Sequence, residues 1–210
     1  MLFSVNVAVL AGGIGSRLGG IEKGKIRICG KTAIERIIET LSGYNIVVVC
    51  RDEKQSELYS DIAPVITDEF KGMGPLAGIH AALKYFKSRT FVVAVDMPFI
   101  RRAVVDFIYR EAEKNNADAL VPVWDDGKAE PLLACYSYSA LGEIEKSLKK
   151  GERKILTPIL RLRNVVFYPI DRLKSMDKDL VSFLNLNTPE DLERAVKLCS
   201  SIGSVEGSQI

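Results

Sequence analysis

The chain is poor in the residues that usually announce metal or nucleophilic chemistry. Its only histidine, His80, lies in a helical run with no Ser, Cys or Asp partner in view, so no zinc spacing and no His-based triad can be assembled, and it is expected to be a structural or surface residue. Four cysteines, Cys29, Cys50, Cys135 and Cys199, are widely scattered without a CxxC pair, and they are expected to be reduced thiols in the core or on the surface. No apolar run approaches the roughly 18 to 20 residues of a membrane span, and the start MLFSVNVAVLAGG lacks a basic leader region, so a cytoplasmic protein without a membrane partner is expected. Charge of one sign is missing as well. Twenty-nine Lys and Arg stand against 27 Asp and Glu, with a net charge of +2 and no basic stripe, which argues against nucleic acid as a partner.

With 47% hydrophobic residues in 210, there is enough apolar material for a full core. No linker, internal repeat or low-complexity segment divides it, so residues 1–200 read as one domain. The remainder, SIGSVEGSQI at 201–210, is polar and glycine-containing and is expected to be a disordered tail.

Glycine is distributed unevenly. The stretch Leu10 to Lys25, LAGGIGSRLGGIEKGK, holds six of the sixteen glycines directly after the apolar run Val5 to Leu10. A buried strand followed by Gly12 and Gly13 permits a sharp exit and a close backbone approach. Consecutive bare amides make an anion site, to which Arg17 adds a planar fork and Lys23 a point charge. Two familiar phosphate loops are excluded. Gly19 to Lys25 has the GxxxxGK spacing, but Ile26 follows where a magnesium-binding hydroxyl is needed. Gly13 to Leu18 begins as GxGxxG, but Leu18 blocks the close helix packing of the dinucleotide fold.

Downstream, strand-like and helical runs alternate. Thr32 and Glu35 form a capping box for a helix over Ala33 to Leu41. Ile46 to Cys50 reads as a strand, Glu53 to Tyr59 as a short helix and Ala63 to Thr67 as a strand. Pro75 opens a helix to Phe86, Thr90 to Val95 is a strongly β-branched strand, and Arg101 to Asn115 is a helix. Ala119 to Val123 and Leu132 to Tyr136 flank the turn Asp125 to Lys128 and read as a hairpin-like insertion. Helices near 140–150 and 154–161, a strand at Val165 to Tyr168, a short run Phe183 to Leu186 and a helix from Thr188 follow. Repeated βα units predict an α/β protein: a three-layer, Rossmann-like α/β/α arrangement around a mostly parallel sheet.

Three strand ends carry acids or amides. Asp96 follows FVVAV, where it can cap the helix beyond or bind magnesium, since a hard cation takes carboxylate and phosphate oxygens together. Asp68 follows the third strand before the glycines at 72, 74 and 78, and can accept from ribose hydroxyls or a base N–H. Asn185 and Asn187 flank Leu186 on one face, where a second metal oxygen is available, while Thr188 and Asp191 can cap the last helix. No general base is required if the nucleophile is a phosphate monoester, which is already ionised at neutral pH.

Together LAGGIGSRLGGIEKGK, GPLAG at 74–78, DMP at 96–98, EPL at 130–132 and NLNTPEDL at 185–192 resemble the molybdenum cofactor guanylyltransferases (the MobA type) of the MobA-like nucleotidyltransferase family, over about residues 5–196. The resemblance implies the nucleotide-diphospho-sugar transferase-like fold and transfer of GMP from GTP to molybdopterin-bound molybdenum cofactor, with release of pyrophosphate. It implies Mg2+ as cofactor, with GTP and the molybdenum cofactor as small-molecule partners, cofactor-delivery proteins as transient ones, and a monomer or weak homo-oligomer. Leu10, Ala11, Gly12 and Gly13 would then line the nucleotide site, Lys23 would neutralise phosphate, Asp68 would contact the nucleoside, and Asp96 would bind the metal with Asn187. Arg17 is assigned on chemical grounds to charge developing during transfer, which makes Arg17, Lys23 and Asp96 the catalytic set. Leu18 stands for the family's Met, Glu22 for its Asp, and Cys50 followed by Arg51 for a nucleotide-contacting Asn, which leaves guanine over cytosine open. Two alternatives remain. One is an adenosylcobinamide-phosphate guanylyltransferase, which shares GGxEK and NxNT; the other is a non-catalytic nucleotide-binding regulator, against which the joint retention of Arg17, Lys23 and Asp96 argues.

Overall fold

The computed structural model describes residues 5–12, 14–15 and 20–206. Its first strand, β1 (Asn6–Leu10), divides its side chains between two cores. Val7 and Val9 point to one face of the sheet and Ala8 and Leu10 to the other, all at most 7% exposed. A strand buried on both faces needs no polar alternation, which is why it reads as one apolar run. Two short antiparallel pairs follow it: β2 (Ile14–Gly15) with β3 (Ile21–Glu22), and β4 (Arg27–Ile28) with β5 (Lys31–Thr32), separated by a 3-10 turn at Lys23–Lys25.

The predicted capping box is present at the start of α1 (Ala33–Thr40): Thr32 Oγ1 accepts from the Glu35 N–H, and Glu35 accepts from the Thr32 N–H. Then come β6 (Asn45–Cys50), α2 (Glu53–Glu57), β7 (Val65–Thr67), α3 (Pro75–Phe86), β8 (Thr90–Ala94), α4 (Arg102–Lys114), β9 (Ala119–Val123), β10 (Leu133–Tyr136), α5 (Leu141–Lys149), α6 (Leu156–Ile159), β11 (Val165–Pro169) and α7 (Pro189–Glu206). Seven strands form one sheet in the order β11-β9-β10-β8-β1-β6-β7. All neighbouring pairs are parallel except those of β10, which runs against both β8 and β9. Helices α1 and α4 cover one face and α3 and α5 the other, giving the expected three layers. A smaller apolar cluster joins Ile26 and Ile28 to Leu184, Leu186 and Ala195.

Strand order places the ligand crevice. From β1 the chain steps outward through β6 and β7, then returns to lay β8 on the opposite side of β1. The carboxyl ends of β1 and β8 therefore flank a switch point, where open α/β sheets bind ligands. Helix α3 lies tight against this point, because a Cβ on Gly78 would sit 3.2 Å from Leu10 Cδ2.

Three expectations change. Leu132 to Tyr136 is not an insertion: β10 is an integral strand wedged between β8 and β9, with Leu133 opposite Val93 and Cys135 opposite Leu120. Phe183 to Leu186 contributes no strand; a 3-10 turn spans Val181–Phe183, and Leu186 N–H donates instead to the Asp96 carbonyl at 2.9 Å. Cys29 and Cys199 are not free thiols but form a disulfide across 170 residues of sequence, with Cα atoms 5.9 Å apart. Cys50 and Cys135 are free and buried. Helix α7 runs to Glu206, and residues 207–210 of the expected tail lie outside the described ones. Among the described residues no helix is long and apolar enough to cross a membrane.

Candidate active site

A cleft of about 610 Å³ opens at the switch point, within the usual size range of small-molecule sites. Leu10 and Gly12 reach it from β1, Cys50, Arg51 and Asp52 from the end of β6, and Asp68 from the end of β7. The turn Gly72 to Pro75 with Gly78, the β8 exit Ala94 to Asp96, Leu132 and Lys23 close the remaining sides.

Lys23 is the centre of its polar wall. Its Nζ donates to Asp96 Oδ2 at 2.7 Å and to Asn187 Oδ1 at 2.5 Å, joining groups 73 and 164 residues away. Both members of the ion pair are largely withdrawn from water, at 13% and 14% side-chain exposure, so screening is weak. The turn carrying Lys23 is seated on the core. A Cβ on Gly24 would lie 2.5 Å from Tyr59 Oη and 3.1 Å from Val95 Cγ2, so only glycine lets the turn settle there. Lys25 Nζ donates to the Leu58 carbonyl at 2.7 Å and stands 5.2 Å from the centre of the Tyr59 ring.

Asn187 is presented by the start of α7. Asp191 accepts from the N–H groups of Asn187 and Thr188, both at 2.9 Å, and its own N–H donates to Thr188 Oγ1 at 3.2 Å. Thr188 and Asp191 thus cap the helix while Asn187 faces Lys23. Asn185 turns elsewhere, donating to the Phe183 carbonyl at 3.3 Å.

Among the described residues two carboxylate oxygens are buried without a hydrogen-bond partner, Asp96 Oδ1 and Asp68 Oδ1. Such groups are costly unless a ligand meets them. Burial pushes the Asp68 carboxyl up to about 6 from an ordinary 3.8; the Lys71 ammonium pulls against the rise and the Asp52 charge adds to it. Among the described residues no three His, Cys, Asp or Glu side chains converge as a self-sufficient metal cage. The chemistry nevertheless fits a hard cation that keeps phosphate and water oxygens: an orphaned oxygen on Asp96 beside an Asp96–Asn187 oxygen pair that already holds a positive charge.

Sequence-predicted residues meet here unequally. Leu10, Gly12, Lys23, Asp68 and Asp96 line the cleft, and Asn187 reaches Lys23. Ala11 lies behind the wall, its N–H donating to the Val49 carbonyl and its carbonyl accepting from Gln55. Gly13 and Arg17 fall outside the described residues. Glu130 braces a neighbouring turn, accepting from Trp124 Nε1 at 2.8 Å and pairing with Lys128 at 2.9 Å, while Leu132 next to it lines the cleft. His80 is 2% exposed, packs edge-on to Phe70 and has its pKa lowered by burial, away from the cleft walls. The Cys50 thiol, pushed up to about 11 chiefly by burial, is no nucleophile at neutral pH. Sequence reading missed Lys71, a lining cation, and Gln55. A lysine between Phe70 and Gly72 had a signal in its loop position; Gln55, among charged residues in a short helix, had none.

The sequence profile of the MobA-like NTP transferase domain matches residues 7–165. A solved structure titled molybdopterin-guanine dinucleotide biosynthesis protein A, from Archaeoglobus fulgidus, is 49% identical with a TM-score of 0.87, over 94% of this chain and 100% of that one. A Methanosarcina mazei relative named probable molybdenum cofactor guanylyltransferase is 36% identical over 90% of this chain and 88% of its own length. A Desulfosudis oleivorans relative named molybdenum cofactor guanylyltransferase is 35% identical over 91% and 94%.

Proposed function

The chain belongs to the MobA-like NTP transferase domain family, and from that premise we propose that it transfers GMP from GTP to molybdopterin-bound molybdenum cofactor, with magnesium, releasing pyrophosphate. The observation that carries this reading is the Lys23 ammonium held between Asp96 and Asn187 on the wall of a cleft whose far end holds the unpartnered Asp68 oxygen. One end is suited to phosphate and the other to a nucleoside.

In the proposed step, a terminal phosphate oxygen of the acceptor attacks the α-phosphorus of GTP. A new P–O bond forms, the bond from the α-phosphorus to the bridging oxygen breaks, and pyrophosphate leaves with that electron pair. The nucleophile arrives ionised, so no side chain has to remove a proton. What remains is alignment and charge neutralisation. Lys23 is placed to exchange Asn187 for a phosphate oxygen while keeping Asp96. Asp68 accepts from nucleoside donors, and Gly12 lets the phosphates approach the backbone. Magnesium, held by Asp96 with Asn187 beside it, would supply neutralisation of the phosphate charge. Arg17 is proposed to meet the charge that develops on the leaving pyrophosphate.

The test is purified protein with magnesium and GTP, CTP or ATP, assayed for pyrophosphate release with molybdenum cofactor and, separately, with adenosylcobinamide phosphate. GTP with molybdenum cofactor is the expected productive pair. Turnover with adenosylcobinamide phosphate alone would replace the acceptor, preference for CTP would replace the base, and nucleotide binding without turnover would leave a regulator.

A further inference from the structure

Gln55 is wholly buried in α2, yet the transfer chemistry makes no demand on it. Its Nε2 donates to the Ala11 carbonyl at 2.7 Å and to Glu22 Oε2 at 2.7 Å, while its Oε1 accepts from the Arg51 N–H at 2.9 Å. Those partners lie in three different segments. Ala11 begins the glycine loop, Glu22 ends it immediately before Lys23, and Arg51 follows β6. One amide thus ties both ends of the 11–22 loop, whose arms already pair as β2 and β3, to a neighbouring strand.

Only glutamine supplies this pattern at this reach. Two donors on one nitrogen and an acceptor two bonds away exclude glutamate, which when ionised donates nothing, and leucine, which does neither. Glu22 is further gripped by both Nη atoms of Arg51, whose Nε reaches Asp52 Oδ2 at 3.2 Å. Position 22 and the Cys50-Arg51 step are two of the places where the sequence departs from the family pattern, and here they pair with each other. The longer glutamate side chain meets the arginine.

We propose that Gln55 is a positioning residue for nucleotide transfer: by fixing both ends of the 11–22 loop it sets the spacing at which Gly12 and Lys23 meet the triphosphate. The inference rests on the nucleotide-transfer reading above. The loop's own backbone pairing, Ile14 with Glu22 and Gly15 with Ile21, holds its two arms together but does not fix where its ends sit against β6, and the Gln55 amide supplies that anchor. Gln55 does not line the cleft and touches no substrate. Its influence on the reaction passes through Ala11 and Glu22.

The experiment compares Gln55→Leu, Gln55→Glu and the exchanged pair Gln55→Glu/Glu22→Gln with the unaltered chain. Gln55→Leu gives up three hydrogen bonds and Gln55→Glu the two that the amide donates; both are expected to weaken GTP binding about tenfold in calorimetry and in KM, the equivalent of about one hydrogen bond. They should lower kcat while leaving the acceptor KM and the GTP-to-CTP preference unchanged. The exchanged pair rebuilds the 22–55 contact with donor and acceptor reversed and should regain part of the lost affinity. A merely structural glutamine would shift melting temperature and both KM values together and show no recovery. GTP affinity within twofold of the original in folded Gln55→Leu, or no recovery in the exchanged pair, overturns the proposal. If Gln55→Leu does not fold, Glu22→Gln at the partly exposed end of the network carries the same prediction with an effect of about threefold. Hydrogen exchange without nucleotide separates the two readings: faster exchange confined to residues 12–22 in the variants supports the positioning role even if GTP proves not to be the substrate, and unchanged exchange there refutes it.

Discussion

Replacing Asp68 by asparagine should make the protein more stable and a poorer nucleotide binder. The carboxyl sits at the exit of β7 with Oδ1 buried and unpartnered, and its pKa is pushed from 3.8 up to about 6. A rise of about 2 units corresponds to roughly 3 kcal/mol against the ionised form. Asp68 is only partly buried, on the wall of a cleft open to water, so about 1 kcal/mol is the expected effect after screening. The sign follows from proton binding. Between pH 4 and 6 the folded protein binds more protons at this site than the unfolded chain, so the wild type loses stability relative to Asp68→Asn as pH rises through that window. Below it both are neutral and the gap closes; above it the gap is constant. Urea unfolding at pH 4.5 and 7.5 measures this, and at pH 7.5 the variant's melting temperature should lie about 2–4 °C higher. GTP affinity should fall by roughly tenfold or more as a charged acceptor is lost, and the wild type alone should lose affinity as pH drops through 6. A variant less stable than wild type at pH 7.5, or a stability gap equal at both pH values, would refute the argument.

Lys23→Met should weaken GTP binding by roughly 10- to 150-fold, the range for a hydrogen bond to a charged group; unaltered affinity in a calorimetric titration removes Lys23 from the phosphate site. Asp96→Ala should abolish magnesium-dependent pyrophosphate release while the folded circular-dichroism spectrum persists, and full activity would remove the metal assignment. Gly24→Ala, which sets a methyl against Tyr59 and Val95, should cost about 1–3 kcal/mol of stability by overpacking and raise the GTP KM; pairing it with Tyr59→Phe should recover part of the loss. Reducing the Cys29–Cys199 link, or changing both cysteines to serine, should lower stability by about 2–4 kcal/mol, read as a fall in melting temperature in the presence of a thiol reductant.

Local chemistry was legible and distant chemistry was not. The β1 run, the capping box at Thr32 and the helix opened by Pro75 each depend on neighbours within a few residues, and each was visible in the sequence. The sheet's mostly parallel character followed from alternating units, but the orientation of β10 did not, because LLACY is apolar whichever way it runs. Lys23, Asp96 and Asn187 could be singled out separately by their positions at strand ends and a glycine-rich turn. That one ammonium bridges the other two emerges only from folding, over separations of 73 and 164 residues. Gln55 was invisible because its surroundings in sequence are those of a solvated helix, while its burial comes from segments more than 30 residues away. Scattered cysteines likewise say nothing of the pairing that brings Cys29 against α7.

That pairing also governs how the chain would respond to tension. The disulfide turns everything between Cys29 and Cys199 into a closed ring, so a pull applied to the two ends bypasses most of the sheet through one covalent bond. Only the segments outside the ring can lengthen, each residue adding at most about 3.6 Å. The leading segment contains β1, which is held between β6 and β8, and Lys23. Mechanical load would therefore act first on β1 and Lys23 at the nucleotide cleft, while the ring itself could not be lengthened.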